Sequence, residues 1–146
     1  KKINPKYLVS DNNLFFSDQN GTIFVYSLTT SKVIFEYNFY KKKYKKIKKK
    51  LNIIVEDNII FIADNIGYAY SLNYKSNKII WAKNFGIPFR SNLKLKNNKL
   101  FLSSVSNKLY FLNAQNGEKI YDLMAGFVYS QTLLAMVELN IFEQEF

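Results

Sequence analysis

The side chains that could do chemistry in this chain are chiefly its carboxylates, lysines and one arginine, since the sequence holds no Cys and no His and so neither partner that most often activates a hydroxyl. That removes thiolate catalysis, disulfides, Cys-based metal sites and the commonest general base and zinc ligand. The acids Asp11, Asp18, Glu36, Glu56, Asp57 and Asp64 could supply a carboxylate pair for acid–base work or oxygen ligands for Ca²⁺. Their placement speaks for turns instead. Asp11 and Asp57 share one offset of an internal repeat, with Asn97 in the third copy, as expected of residues that cap a turn. No further oxygen ligands accompany Glu56 and Asp57 at calcium-binding spacing, and no phosphate-binding loop, dinucleotide fingerprint or metal-ligand cluster is present. The expectation is a protein that is not an enzyme, with no catalytic, cofactor-binding or metal-binding residue.

The basic residues are the stronger signal. Twenty-one Lys and Arg against eleven Asp and Glu leave a net charge of +10. Eight of the 20 lysines fall within residues 41–50, as Lys41, Lys42, Lys43, Lys45, Lys46, Lys48, Lys49 and Lys50, with Tyr44 and Ile47 between them. Such a run reads as a solvated connection, or as a contact for anionic lipid headgroups or an acidic protein surface. Tyr40 and Tyr44 would permit base stacking, but no nucleic-acid module surrounds them, which argues against nucleic acid. Lys, Asn, Ile, Phe and Tyr make up 77 of the 146 residues, and all five have A/T-rich codons. An AT-rich genome writes Lys wherever a solvated residue is tolerated. Against that background the single Arg90 stands out, since its fork can clamp a carboxylate or main-chain carbonyls as Lys cannot.

The elements that position these residues follow from repetition. With Gly21, Gly67 and Asn107 as anchors, an aromatic follows fourteen residues later in each copy: Phe35, Trp81 and Tyr121. Ten residues after the anchors stand Ser31, Asn77 and Gly117, and nine before them stand Asn12, Asn58 and Asn98. Apolar pairs recur at two further sets of offsets, as Leu14/Phe16, Ile60/Ile62, Leu100/Leu102 and as Tyr7/Val9, Ile53/Val55, Leu93/Leu95. Period-two alternation of branched and aromatic residues between Asn- and Gly-containing breaks marks four short strands per copy. Four strands in 40–46 residues is the size of one propeller blade. The predicted fold is all-β: a partial β-propeller of three four-stranded antiparallel blades, over about residues 6–40, 51–85 and 91–122 of a unit spanning 1–122. Phe35, Trp81 and Tyr121 are the expected packing residues between blades, and 41–50 is a Lys-rich loop between the first two. An apolar content of 48% excludes disorder, and no apolar run approaches the 18 residues of a spanning helix.

The stretch Gly21 to Ser27 followed by Ser31-Lys32-Val33-Ile34-Phe35 resembles the PQQ-type propeller repeat, in which Gly-x-Leu-Tyr-Ala-Leu-Asp precedes Thr-Gly-Lys-x-x-Trp. Lys108 to Tyr121 is nearer the pattern, and Asn77 to Trp81 keeps the Trp itself. The chain departs where the family's third-strand Asp becomes Ser27, Asn73 and Asn113. The joining segment Phe85-Gly86-Ile87-Pro88-Phe89-Arg90-Ser91 is similar to that of BamB-type proteins, lipoprotein propellers of the outer-membrane barrel-assembly machinery. That resemblance implies a non-catalytic scaffold at the periplasmic side of the outer membrane, with a barrel-assembly protein as partner. Phe89 and Arg90 are the candidate contacts, the alternative for Arg90 being a tie between blades. A fragment of a PQQ-dependent dehydrogenase and a PQQ-repeat protein of other ligand are the alternatives. Family dehydrogenases use adjacent cysteines and an acidic calcium site, which this chain lacks.

Lys1-Lys2-Ile3-Asn4-Pro5 reads as the middle of a longer chain, and three blades cannot close a ring, so exposed end faces and self-association are expected. All basic residues lie at or before Lys119, and residues 123–146 read as an atypical tail. Residues 127–140 have the apolar face of a short C-terminal helix, and Ala125 to Glu143 is similar to the opening helix of small-molecule O-methyltransferases. The tail reads either as a helical cap or as a truncated or chimeric reading frame.

Overall fold

Asn and Gly placed where the chain must reverse, between runs of alternating apolar residues, produce twelve strands in series among the described residues. The computed structural model describes residues 7–90 and 93–124. Strands β1 (Leu8–Ser10), β2 (Asn13–Ser17), β3 (Thr22–Ser27) and β4 (Lys32–Asn38) form the first sheet in sequence order. The second comprises β5 (Leu51–Glu56), β6 (Ile59–Asp64), β7 (Tyr68–Asn73) and β8 (Lys78–Asn84). The third comprises β9 (Lys94–Lys96), β10 (Lys99–Ser103), β11 (Lys108–Asn113) and β12 (Lys119–Met124). All pairings are antiparallel, as in the blades of a propeller.

The repeat offsets are backbone requirements. All three anchors have positive φ: Gly21 at 83°, Gly67 at 116° and Asn107 at 61°. So do Ser31 (55°), Asn77 (61°) and Gly117 (72°) in the turns before the fourth strands. Asp11 (48°), Asp57 (55°) and Asn97 (47°) share the left-handed region in the first hairpin of each blade. Asn and Asp enter that region more readily than other side chains, which is why they alternate with Gly there. The register also shifts at one equivalent point per blade, between Val25 and Tyr26, Ser71 and Leu72, and Phe111 and Leu112. A bulge there sharpens the twist between third and fourth strands.

Two apolar cores hold the blades together. Phe15, Ile23, Val25 and Phe35 of the first blade pack on Ile60, Ile62, Tyr70, Leu72 and Tyr74 of the second. Phe61, Ala63, Ala69 and Trp81 on the other face of the second blade meet Leu100, Leu102, Tyr110, Leu112 and Ala114 of the third. The rings at the shared offset match their sockets in size. Trp81 donates its Nε1–H to the Ala114 carbonyl at 2.8 Å and lies against Gly117 so closely that a Cβ there would stand 2.3 Å from the indole. The smaller Phe35 meets Tyr74, which occupies the place of Ala114 in its blade, with ring centroids 6.5 Å apart. Tyr121 takes the corresponding place in the third blade, where no described blade follows. Its side chain is 42% exposed, 5.6 Å from the Phe111 ring.

Residues 125–146, and with them the expected C-terminal helix, lie outside the described residues. Strand β12 runs through Leu123 and Met124, two residues past the expected end of the propeller unit. Residues 41–50 contain a 3₁₀ turn at Lys42–Tyr44.

Candidate binding surface

The segments that join one blade to the next leave the fourth strand at the end of the sheet where the second and third strands turn. Residues 39–50, residues 85–90 and the turns at 18–21, 64–67 and 104–107 therefore share one rim. Each of those turns is capped three residues before its anchor. Asp18 Oδ1 accepts from the N–H groups of Asn20 and Thr22, both at 2.9 Å, and Ser104 Oγ from Lys108 N–H at 3.2 Å. Asp64 Oδ1 accepts from Ile66 and Gly67 at 2.8 Å and Tyr68 at 2.9 Å.

Asp64 does more than cap. It is fully buried, and its Oδ2 accepts the Tyr40 hydroxyl at 2.5 Å from the preceding joining segment. Its main-chain carbonyl accepts Phe89 N–H at 3.0 Å from the following one. One residue thus ties both joints. Burial, then the neighbouring Tyr70 and Asp64, pushes the Tyr40 phenol well above its usual pKa. Burial does the same to Tyr70, whose hydroxyl has no hydrogen-bond partner among the described residues. Both remain protonated at neutral pH, so Tyr40 is the donor to the Asp64 carboxylate.

The Lys-rich segment is anchored. Tyr40 lies on Gly21, and Tyr44 shares a hydrogen bond with Tyr68 at 3.0 Å, which raises the Tyr68 pKa and, with Lys43, lowers that of Tyr44. Lys49 is buried at 6% exposure, with its ammonium donating to the Tyr44 carbonyl and its N–H to Gln19 O at 2.9 Å. Asn65 receives Lys50 N–H at 2.8 Å and donates to Lys48 O at 3.0 Å. Lys41, Lys42, Lys43, Lys45, Lys46, Lys48 and Lys50 are exposed.

Of the two expected partner contacts, Phe89 is buried at 4%, its ring 5.6 Å from Phe85 and 5.8 Å from Tyr110, and it forms a bridge with Ser104. Arg90 is exposed. Its N–H donates to Ser103 O at 3.1 Å, and its Nη2 donates to Asn107 Oδ1 at 2.5 Å. Val105 N–H meets Pro88 O at 2.9 Å, so the backbone carrying Arg90 is stitched to the third blade on both sides.

The other acids are dispersed. Asp122 pairs with Lys108 at 2.8 Å and Lys119 at 3.3 Å, and the Lys108 hydrogen bond leads in holding its pKa below the carboxylate norm. Glu56 and Asp57 border a groove of about 380 Å³ between the second and third blades, at the opposite end from the rim. No group of three or more potential metal ligands is present among the described residues. At the equivalent third-strand positions of the three blades, Ser27, Asn73 and Asn113 each cap the turn that follows. Ser27 Oγ accepts Thr30 N–H at 3.2 Å, Asn73 Oδ1 accepts Lys75 and Ser76 at 3.0 Å, and Asn113 Oδ1 accepts Gln115 at 2.9 Å.

No protein-family description and no curated protein matches the sequence. Solved structures do. The fold is similar to the crystal structure of BamB from Moraxella catarrhalis, with a TM-score of 0.68 and 10% identity over 83% of this chain and 35% of that one. It is also similar to the computationally designed Ika8 protein, at TM-score 0.71 and 12% identity over 82% of this chain and 36% of that one. The designed Ika4 protein gives a TM-score of 0.71 and 12% identity over 86% of this chain and 76% of that one. The chain thus spans about a third of the length of BamB and Ika8. At these identities the likeness shows the fold alone: the chain has a propeller-like fold.

Proposed function

We propose that this chain is a non-catalytic, protein-binding propeller scaffold of the BamB kind, supporting β-barrel assembly at the periplasmic side of the outer membrane. The observation that carries the reading is Arg90: an exposed guanidinium, itself donating to Asn107 Oδ1, on a backbone held by Arg90 N–H on Ser103 O and by Val105 N–H on Pro88 O. A charge-assisted donor with its backbone already ordered loses little conformational entropy on meeting an acidic partner. The fold's likeness to BamB and the similarity of the joining segment support the choice of partner. The chemistry-bearing side chains on this rim, Asp18, Asp64 and Ser104, serve the turns that hold it. Tagged full-length chain, wild type and Arg90→Ala, tests the reading by co-purification of the barrel-assembly complex alongside a melting curve. The scaffold reading predicts loss of the complex with the melting temperature almost unchanged. Equal recovery of the complex with both proteins, or recovery with neither, contradicts it.

A further inference from the structure

The Lys41–Lys50 strap has a property that partner binding at Arg90 does not use. Seven exposed lysines stand within ten residues, and none is paired with a carboxylate among the described residues. The strap contains no acid of its own. Its backbone is fixed by Tyr40 on Asp64, Tyr44 on Tyr68, Lys49 on Gln19 and Lys50 on Asn65, so the ammonium groups project from an ordered base. Ile47 lies in the middle of this charge at 45% exposure. We propose that this strap docks the protein on an anionic phospholipid surface, the lysines meeting headgroups and Ile47 entering the interface.

The chemistry favours lipid over nucleic acid. Single-stranded nucleic acid needs free aromatic faces on which bases stack. Here the Tyr40 ring is pressed on Gly21, and Lys43 lies over the Tyr44 ring at 4.7 Å from its centroid. Neither offers a platform. What remains is a set of strongly hydrated point charges without forked geometry, which suits a diffuse anionic layer, together with one apolar side chain. A cluster of this size lies within the range of four to eight basic residues that draws segments to anionic membranes.

The test is co-sedimentation of the full chain with vesicles of phosphatidylcholine alone or containing about one-third phosphatidylglycerol, at low and high salt. Binding should require the anionic lipid and weaken with salt. Replacing Lys41, Lys42, Lys45 and Lys46 by Gln should weaken it about tenfold or more. Ile47→Ser should weaken it about threefold. Replacing the exposed Lys32, Lys75, Lys78 and Lys83 removes the same charge elsewhere and should leave most of the binding. The proposal is overturned if the wild type ignores anionic vesicles at low salt, or if the two quadruple variants lose binding equally. It is also overturned if a single-stranded oligonucleotide displaces the vesicles through the same lysines while Ile47→Ser has no effect. Since Arg90 is intact throughout, co-purification of the barrel-assembly complex stands or fails separately.

Discussion

Replacing Gly117 by Ala isolates the contact that joins the second and third blades. Two separable costs arise. The φ of +72° lies in the left-handed region, which disfavours Ala by about 1–2 kcal/mol. The new Cβ would also stand 2.3 Å from Cε3, 2.4 Å from Cδ2 and 2.8 Å from Cζ3 of Trp81. Carbon atoms pack at about 3.5–4.0 Å, so the indole must recede by about 1 Å, straining its bond to Ala114; overpacking of this kind costs about 1–3 kcal/mol. Gly86 supplies the control, because its φ is +70° and a Cβ there would meet nothing within 4 Å. Gly86→Ala therefore carries the backbone cost alone. By thermal denaturation, Gly117→Ala should melt about 3–10 °C below Gly86→Ala. Trp81 is the only tryptophan, so its emission should shift red in the first variant alone. Equal melting temperatures and unshifted emission would refute the packing of Trp81 against the third blade.

Asp64→Ala removes the acceptor of three turn N–H groups and of the Tyr40 hydroxyl, and should destabilise by about 3 kcal/mol or more in denaturant titration, against about 1 kcal/mol for Asp18→Ala. Tyr40 and Tyr70 have phenol pKa values raised by burial, so their stabilisation is complete below about pH 10 and is lost as pH rises further. Stability measured at successive alkaline pH values should fall as pH rises above about 10, and Tyr70→Phe should make the fall shallower, by at most about 1.4 kcal/mol per pH unit, without loss at pH 7. Addition of PQQ and Ca²⁺ to the purified chain should produce no dye-linked alcohol oxidation.

The repeat was legible because turns impose hard local requirements. The three anchors, the three residues ten positions after them, and Asn12 and Asn98 all have positive φ, which favours Gly, Asn or a tolerated Ser; Asn58 alone of the turn residues picked out by spacing does not. The exchange of ring size across the blade interfaces, Trp81 on Ala114 and Gly117 but Phe35 on Tyr74, could also have been read by comparing the copies at those offsets. What spacing could not reveal is the contact that occurs once. Tyr40 meets Asp64 across 24 residues, and Gly86 and Ser104 stand at the matching offsets of the next joint, so no periodicity marks it. The buried Lys49 looks in the sequence like its seven exposed neighbours, and only its reach to the Tyr44 carbonyl separates it. Phe89, chosen beside Arg90 as a contact, occupies the inter-blade core because its backbone bridges Ser104 and turns the ring towards Phe85 and Tyr110.

The scaffold account rests most heavily on what touches residue 90. A photo-reactive amino acid placed there in the full-length protein, expressed in a Gram-negative host and irradiated in cells, reports that contact by mass spectrometry of the adduct. The account predicts a covalent link to a component of the barrel-assembly complex, absent when the same group replaces Lys78 on the outer strand of the second blade. No adduct at position 90, or the same adducts from both positions, would contradict it.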